Sequence, residues 1–265
     1  MTAPLDIGIE GIGVWSAQLP NWDAGRDILC GKVDNVAGAA TRPAPSLLAP
    51  TERRRAQEAV LIAVEVAQQA CAMAARDPRE LPNVFASAYG DLQINDYLCA
   101  TLARDPKDMS PTKFHNSVHN APAGYWSIAT GCMASSTALG AGSATFGAGL
   151  LEAALLAHAE SCPVLLAAYD IAAVGPLADI VPCKAAFAVA LVLAPPSQRA
   201  MARLRLQCER TAAELAPEAD VLHASCRDNP AARSLPLLTQ LARRTPGTQL
   251  LAAGPALNLR MEIMF

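Results

Sequence analysis

His115 and His119 stand four residues apart, the spacing that sets two imidazoles on one face of a helix. A zinc protease site would also need a glutamate at position 116 to activate water, and that position holds Asn116. Hydrogen-bonded structural histidines are the default there, and neither a metal nor a cofactor is implied. Ser143, inside the glycine-rich run 140–149 (GAGSATFGAG), invites a test as a nucleophile. A hydrolase elbow needs glycine two residues to either side of the serine, and Ala141 and Thr145 fill those places. The same run lacks the Gly-Lys-Ser/Thr of a phosphate loop. Gly8, Gly11 and Gly13 have GxxGxG spacing with no helix opening at once, so tight strand packing explains them better than a dinucleotide. Asp170 follows an apolar run at a strand's C-terminal end, where α/β sites gather; a turn cap accounts for it equally well.

The elements that must position these groups follow from hydrophobic period. Residues 5–14 (LDIGIEGIGV) alternate as a strand, and 21–30 suit a short helix. A loop rich in Ala, Gly, Pro and Ser over 35–50 leads to Thr51, placed as the N-cap of a helix running to about residue 74. A strand at 83–88 and a helix at 91–103 follow. In 112–130, Pro122 and Gly124 rule out one regular helix across the whole length. Then come a strand at 135–140, an Ala- and Leu-rich helix at 144–158, and apolar strands at 162–169 and 185–194 that suit the centre of a covered sheet. Alternation of this kind predicts an α/β layered domain. Further on, 199–215 and 231–244 are expected as helices, and 257–265 as an edge strand.

With 52% hydrophobic and only 5% aromatic residues, the core must be built from Ala, Val, Leu and Ile. A net charge of −3 creates no field to draw nucleic acid or an anionic membrane, and the run Arg53–Arg55 fits a solvated helix start. Cysteines at 30, 71, 99, 132, 162, 183, 208 and 226 show no CxxC spacing, and the first residues lack the pattern of a signal peptide. Free thiols in a cytoplasmic protein are the expectation. The apolar stretch 150–166 is interrupted by Glu152, His158, Glu160 and Pro163, so no membrane span is expected.

Taken in order, Ser110–Pro111, then SVHNAPAGYWSI at 117–128, then the glycine-rich 138–149, resemble the central part of β-ketoacyl synthases. The wording SVHNAPAGYWSIATG, the early IEGIGVW at 9–15 and the Arg53–Arg55 helix start are similar to a shortened branch, the chain length factors of aryl polyene and related pigment clusters. The resemblance spans roughly 5–195. It implies a thiolase-like half: layers α-β-α around a mixed five-stranded sheet, in one domain over 1–265 with its core at 5–195 and a C-terminal extension of open role.

In that family a segment ending in Asn-x-x-Ala-Gly lines the dimer interface, here Asn120 to Gly124. The nucleophilic Cys, counted forward without gaps, falls on Ser143. The second half of a condensing enzyme supplies two histidines (or His and Asn) and a lysine, and the chain is expected to end before such a half; downstream of His158 only His223 is a histidine. A serine stays protonated where a cysteine at a helix N-terminus would ionise, and no base adjoins it in sequence. The resemblance therefore implies a non-catalytic subunit that pairs with a full-length ketosynthase and meets acyl carrier protein indirectly, with a homodimer left open for the isolated chain. His115, Asn116, Ser117, His119, Asn120, Tyr125 and Trp126 would lie at the contact or acyl tunnel, although Tyr125 and Trp126 equally suit core packing. Two alternatives stand beside this: an acyl transferase or decarboxylase using Ser143 with His115 or His119 as base, and a homodimeric acyl-binding protein.

Overall fold

The computed structural model describes residues 4–33, 42–210 and 226–265. Eight strands form one mixed sheet in the order β3-β2-β4-β5-β1-β6-β8-β7. They are β1 Leu5–Ser16, β2 Asn83–Ala86, β3 Ser136–Leu139, β4 Val164–Asp170, β5 Phe187–Ala194, β6 Ala202–Glu209, β7 Gly247–Gly254 and β8 Leu257–Met264. The β3-β2-β4 pairings are parallel and every other pairing is antiparallel. The helices are α1 Trp22–Leu29, α2 Pro50–Arg55, α3 Glu58–Ala74, α4 Leu92–Arg104, α5 Pro111–His115, α6 Ala121–Thr130, α7 Thr145–Glu160 and α8 Leu235–Arg243.

The sheet is covered on both faces, which is why β4 and β5 carry no polar side until Asp170. On one face α3 and α6 pack with Trp15, Phe85 and Tyr169; on the other lie α7, α8 and the 3-10 segment Pro230–Ser234. The layered α-β-α expectation holds, with eight strands where five were expected. The three additional strands come from the C-terminal third. Residues 202–209 were expected to be helical, yet Ala202, Leu204 and Leu206 point inward while Arg203 and Arg205 point out, the period of a strand. The strand at 257–265 was expected at an edge, but β8 sits between β6 and β7, and β7 takes the edge. His223, and parts of the expected loop at 35–50 and helix at 199–215, lie outside the described residues.

The expected helix from Thr51 to residue 74 is two helices. Its first piece opens at Pro50 with Ala49 as N-cap, so Thr51 lies inside it, and Ala56 is extended (ψ 137°) before α3 begins. The carbonyls freed at the break are claimed by side chains: Asn116 Nδ2 donates to Arg55 O (3.4 Å) and the Arg42 guanidinium to Ala56 O (3.1 Å).

The glycines of β1 serve packing, as the sequence indicated. A Cβ at Gly11 would lie 2.1 Å from the Ala70 carbonyl oxygen, and one at Gly13 would lie 2.0 Å from that of Val66, so α3 rests directly on the strand. Gly13→Ala must push α3 off the sheet. We expect it to lower unfolding free energy by about 1–3 kcal/mol in urea titrations, a cost typical of overpacking; an unchanged midpoint would refute this contact.

Candidate functional site

Segment 110–131 is built as two short helices around a turn. The Ser110 hydroxyl accepts from Lys113 N (3.4 Å) to start α5, and α6 opens with Pro122 in its first turn and stops at Gly131, whose φ is +72°. Asn116 and Trp126 are buried, and they hold the segment down. Asn116 bonds the α2–α3 break through Nδ2 and accepts from the Tyr125 hydroxyl at 3.2 Å. Trp126 has no exposed surface and tilts against Phe85, ring centroids 6.3 Å apart. These two side chains belong to the interior and Tyr125 is half-buried, so the seven expected contact residues divide between core and surface.

His115, His119 and Asn120 are exposed, and Ser117 is half-buried with its hydroxyl donating to Phe114 O at 2.7 Å. Around them Phe114, Val118, Ile128 and Met133 are 63%, 54%, 77% and 93% exposed, a concentration of bare apolar side chains in twenty residues of chain. Next to them β3 is an edge strand with Ser136 and Ala138 exposed. Between α2 and the α5–α6 turn lies a cleft of about 520 Å³ that Arg55, Glu52, His115, Asn120, Tyr125 and Ile128 help to line. Composition gave no hint of this cleft, because its walls are 65 residues apart in the chain, from Arg55 to Asn120.

A second cluster gathers where the parallel strands end. Asp170, fully buried at the end of β4, accepts from the Ser87 hydroxyl (2.8 Å), Ala88 N (3.0 Å) and Tyr89 N (3.1 Å), all in the turn that follows β2. The Ser87 hydroxyl in turn accepts from Gly90 N (2.9 Å). Burial pushes the Asp170 carboxyl up to about 6; the bonds from Ser87, Ala88 and Tyr89 and the charge of His119 pull the other way. The turn-cap role holds for Asp170, with the turn of a neighbouring strand as its object. Asn229 Nδ2 adds bonds to the Asp170 and Ala185 carbonyls, both 2.9 Å. Ser87 escaped the sequence reading, which placed it inside the predicted strand 83–88, whereas the strand ends at Ala86 and Ser87 opens the turn.

Ser143 lies in the 3-10 turn Gly142–Ala144 that joins β3 to the N-terminus of α7, and it is exposed. No side chain caps α7; Thr145 instead closes the turn, donating to Gly142 O (2.7 Å) and accepting from Ala141 N (2.9 Å). Ser143 makes no side-chain hydrogen bond with a described residue. His119 comes near this turn, since a Cβ on Gly140 would lie 3.6 Å from its Nε2. That nitrogen donates to the Ser87 carbonyl at 2.9 Å, which fixes it as the protonated one and turns it away from the role of base. His115 has no bonded partner among the described residues. The arrangement has a strand–turn–helix elbow, with no base bonded to Ser143 among the described residues. Among the described residues, no three His, Cys, Asp or Glu side chains are grouped to hold a metal ion, and no helix is long and apolar enough to cross a membrane.

The family model for the β-ketoacyl synthase N-terminal domain matches residues 31–253. A search of curated proteins finds no match. Among solved structures, the fold is similar to a chain of the ketosynthase ApeO in complex with its chain length factor ApeC from Xenorhabdus doucetiae, with TM-score 0.73 and 21% identity over 97% of this chain and 99% of that one. It is similar also to a chain of the ishigamide ketosynthase/chain length factor (TM-score 0.70, 12% identity, 98% and 99% covered). A chain of AntDE:AntF, a type II polyketide synthase acyl-carrier protein in complex with its ketosynthase, gives TM-score 0.71 at 11% identity, with 98% and 99% covered. At these identities the likeness is one of fold.

Proposed function

The chain belongs to the β-ketoacyl synthase family, and from that premise we propose that it is a non-catalytic partner subunit of the chain length factor kind. It pairs with a full-length ketosynthase in the cytoplasm and shapes the acyl tunnel of that enzyme in a type II polyketide or fatty-acid-like pathway, with aryl polyenes as the product class and acyl carrier protein met through the partner. The observation that carries this is Ser143. A serine stands at the head of α7, where an ungapped count puts the family's thiol, with no hydrogen-bonded base among the described residues. Claisen condensation needs a thiolate to hold the acyl chain and donors to hold the carbonyl oxygen as carbon dioxide leaves. A protonated hydroxyl without a base supplies no such nucleophile at neutral pH. Two of the solved assemblies named above, each of a ketosynthase with a chain length factor, support the subunit role. So does the bare apolar surface of Phe114, Val118, Ile128 and Met133, which suits burial against another protein.

The test is co-expression with a full-length ketosynthase from the same organism. The two should co-purify, and the pair should make a product of one length from malonyl-carrier protein, followed by mass spectrometry. The chain alone should make none. Condensation by the isolated chain, or an acyl mass shift on Ser143, would sink the proposal.

A further inference from the structure

Tyr169 is fully buried, yet its hydroxyl finds no hydrogen-bond partner among the described residues. A buried hydroxyl left unpaired costs stability, and native interiors hold few of them. Burial, joined by the charges of Asp170 and Asp91, pushes the pKa of this hydroxyl up, so it stays protonated and able to donate at neutral pH. Tyr169 lies on the wall of a cavity of about 10 Å³ between α3, the start of α4 and the α5–α6 turn. Asp91, Asn116 and His119 are the other polar side chains on that wall. The Asp91 carboxylate caps α4 by accepting from Ile94 N (2.9 Å) and keeps further lone pairs. Asn116 gives one of its two amide hydrogens to Arg55 O and keeps the other. Val118 and Ala121 line both this cavity and the larger cleft beside it, which marks a way in from solvent.

We infer that the cavity binds one water molecule, which accepts from the Tyr169 hydroxyl and donates to the Asp91 carboxylate. Size and lining select this occupant. A volume of about 10 Å³ is the least that holds a water, so nothing larger fits. Cavities that stay dry are lined by apolar side chains alone, whereas this one offers a donor and several acceptors, and a buried water needs two to about four such partners. The water joins the end of β4 to the N-cap of α4, and it sits beneath the turn that carries Val118 and His119. The inference rests on the cavity and its wall, and it is independent of the subunit role.

Tyr169→Phe separates a bridged hydroxyl from an idle one. With the water in place the variant gives up a hydrogen bond, and it should melt about 2–4 °C below the wild type. An idle hydroxyl gives the opposite sign: its removal relieves an unpaired buried group, and the Phe variant melts at or above the wild type. A crystal structure of the wild-type chain, at a resolution that shows ordered water, should place one water about 2.8 Å from Tyr169 Oη and within bonding reach of Asp91. A wild-type structure with no water at that oxygen overturns the inference, and so does a Phe variant that melts at or above the wild type.

Discussion

Asp170→Ala should lower the unfolding free energy by about 3 kcal/mol, enough to take a marginal domain close to its threshold. The carboxylate is the acceptor for the Ser87 hydroxyl and for Ala88 N and Tyr89 N, and the fully buried Ser87 hydroxyl in particular loses its acceptor if the side chain shrinks to a methyl. Asp170→Asn is the informative comparison. All three donors reach Oδ1, which the amide retains, and only the second bond from Ala88 N to Oδ2 (3.2 Å) is given up, so the loss should stay near about 1 kcal/mol. The pair also fixes the pH dependence. Burial raises the folded carboxyl from its ordinary 3.8 to about 6. Between those values the folded chain holds a proton that the unfolded chain has released, so stability falls as pH rises from about 4 to about 6 and then levels off, a loss on the order of 2–3 kcal/mol. Urea titrations across pH 4–7 should show that slope in the wild type and lose it in Asp170→Asn. An equal slope in both would place the titration elsewhere.

Ser143→Cys carries the other large effect. A thiol at that turn would sit at the N-terminus of the 16-residue α7, whose first amides no side chain caps. Such a position lowers a cysteine pKa below its usual 8.5 or so. Iodoacetamide should therefore label Cys at 143 roughly ten times faster at pH 7 than Cys99, the native thiol most open to solvent, with the rate followed by peptide mass spectrometry. The variant should still fail to condense malonyl-carrier protein when alone, because His119 stays bonded to the Ser87 carbonyl. Labelling no faster than at Cys99 would mean the turn does not present its residue as an elbow. Gained condensation would mean that the serine alone silences an otherwise complete machine and that the His119 bond to Ser87 is no obstacle.

Much of the fold was legible because its signals are local. The alternation in β1, the Asn21 cap of α1, the Asp91 cap of α4 and the apolar runs of β4 and β5 each state their own structure within a dozen residues. The failures share one cause, which is that distant chain supplied the deciding contact. Thr51 looked like a cap, but Pro50 already fixes the first turn, and Asn116 and Arg42 end the helix from elsewhere. Strand β6 is rich in Leu and Arg, good helix formers, and only its pairing with β1 and β8 decides the matter. Family resemblance located the 112–130 segment and the elbow at Ser143, yet it did not separate Asn116 and Trp126, which face inward, from His115 and Asn120, which face solvent. The bond from Ser87 to Asp170 spans 83 residues, and the buried Glu10 fork with Arg76 spans 66, so neither leaves a trace in spacing.

Helix α7 sets a limit on how the protein can be dissected. It rests on the sheet through β2, β4 and β5 and, at the far edge of that same sheet, through β7, and Pro230–Ser234 packs beside it; a Cβ on Gly147 would strike the Ala252 carbonyl at 2.0 Å. The last hairpin is thus fitted to a glycine. An expression fragment stopping at Ala194 would strip that contact and open part of the core cluster that holds Phe146, Leu150 and Ala154. Crystallisation or binding fragments of this chain have to keep β6, β7 and β8, whatever they drop.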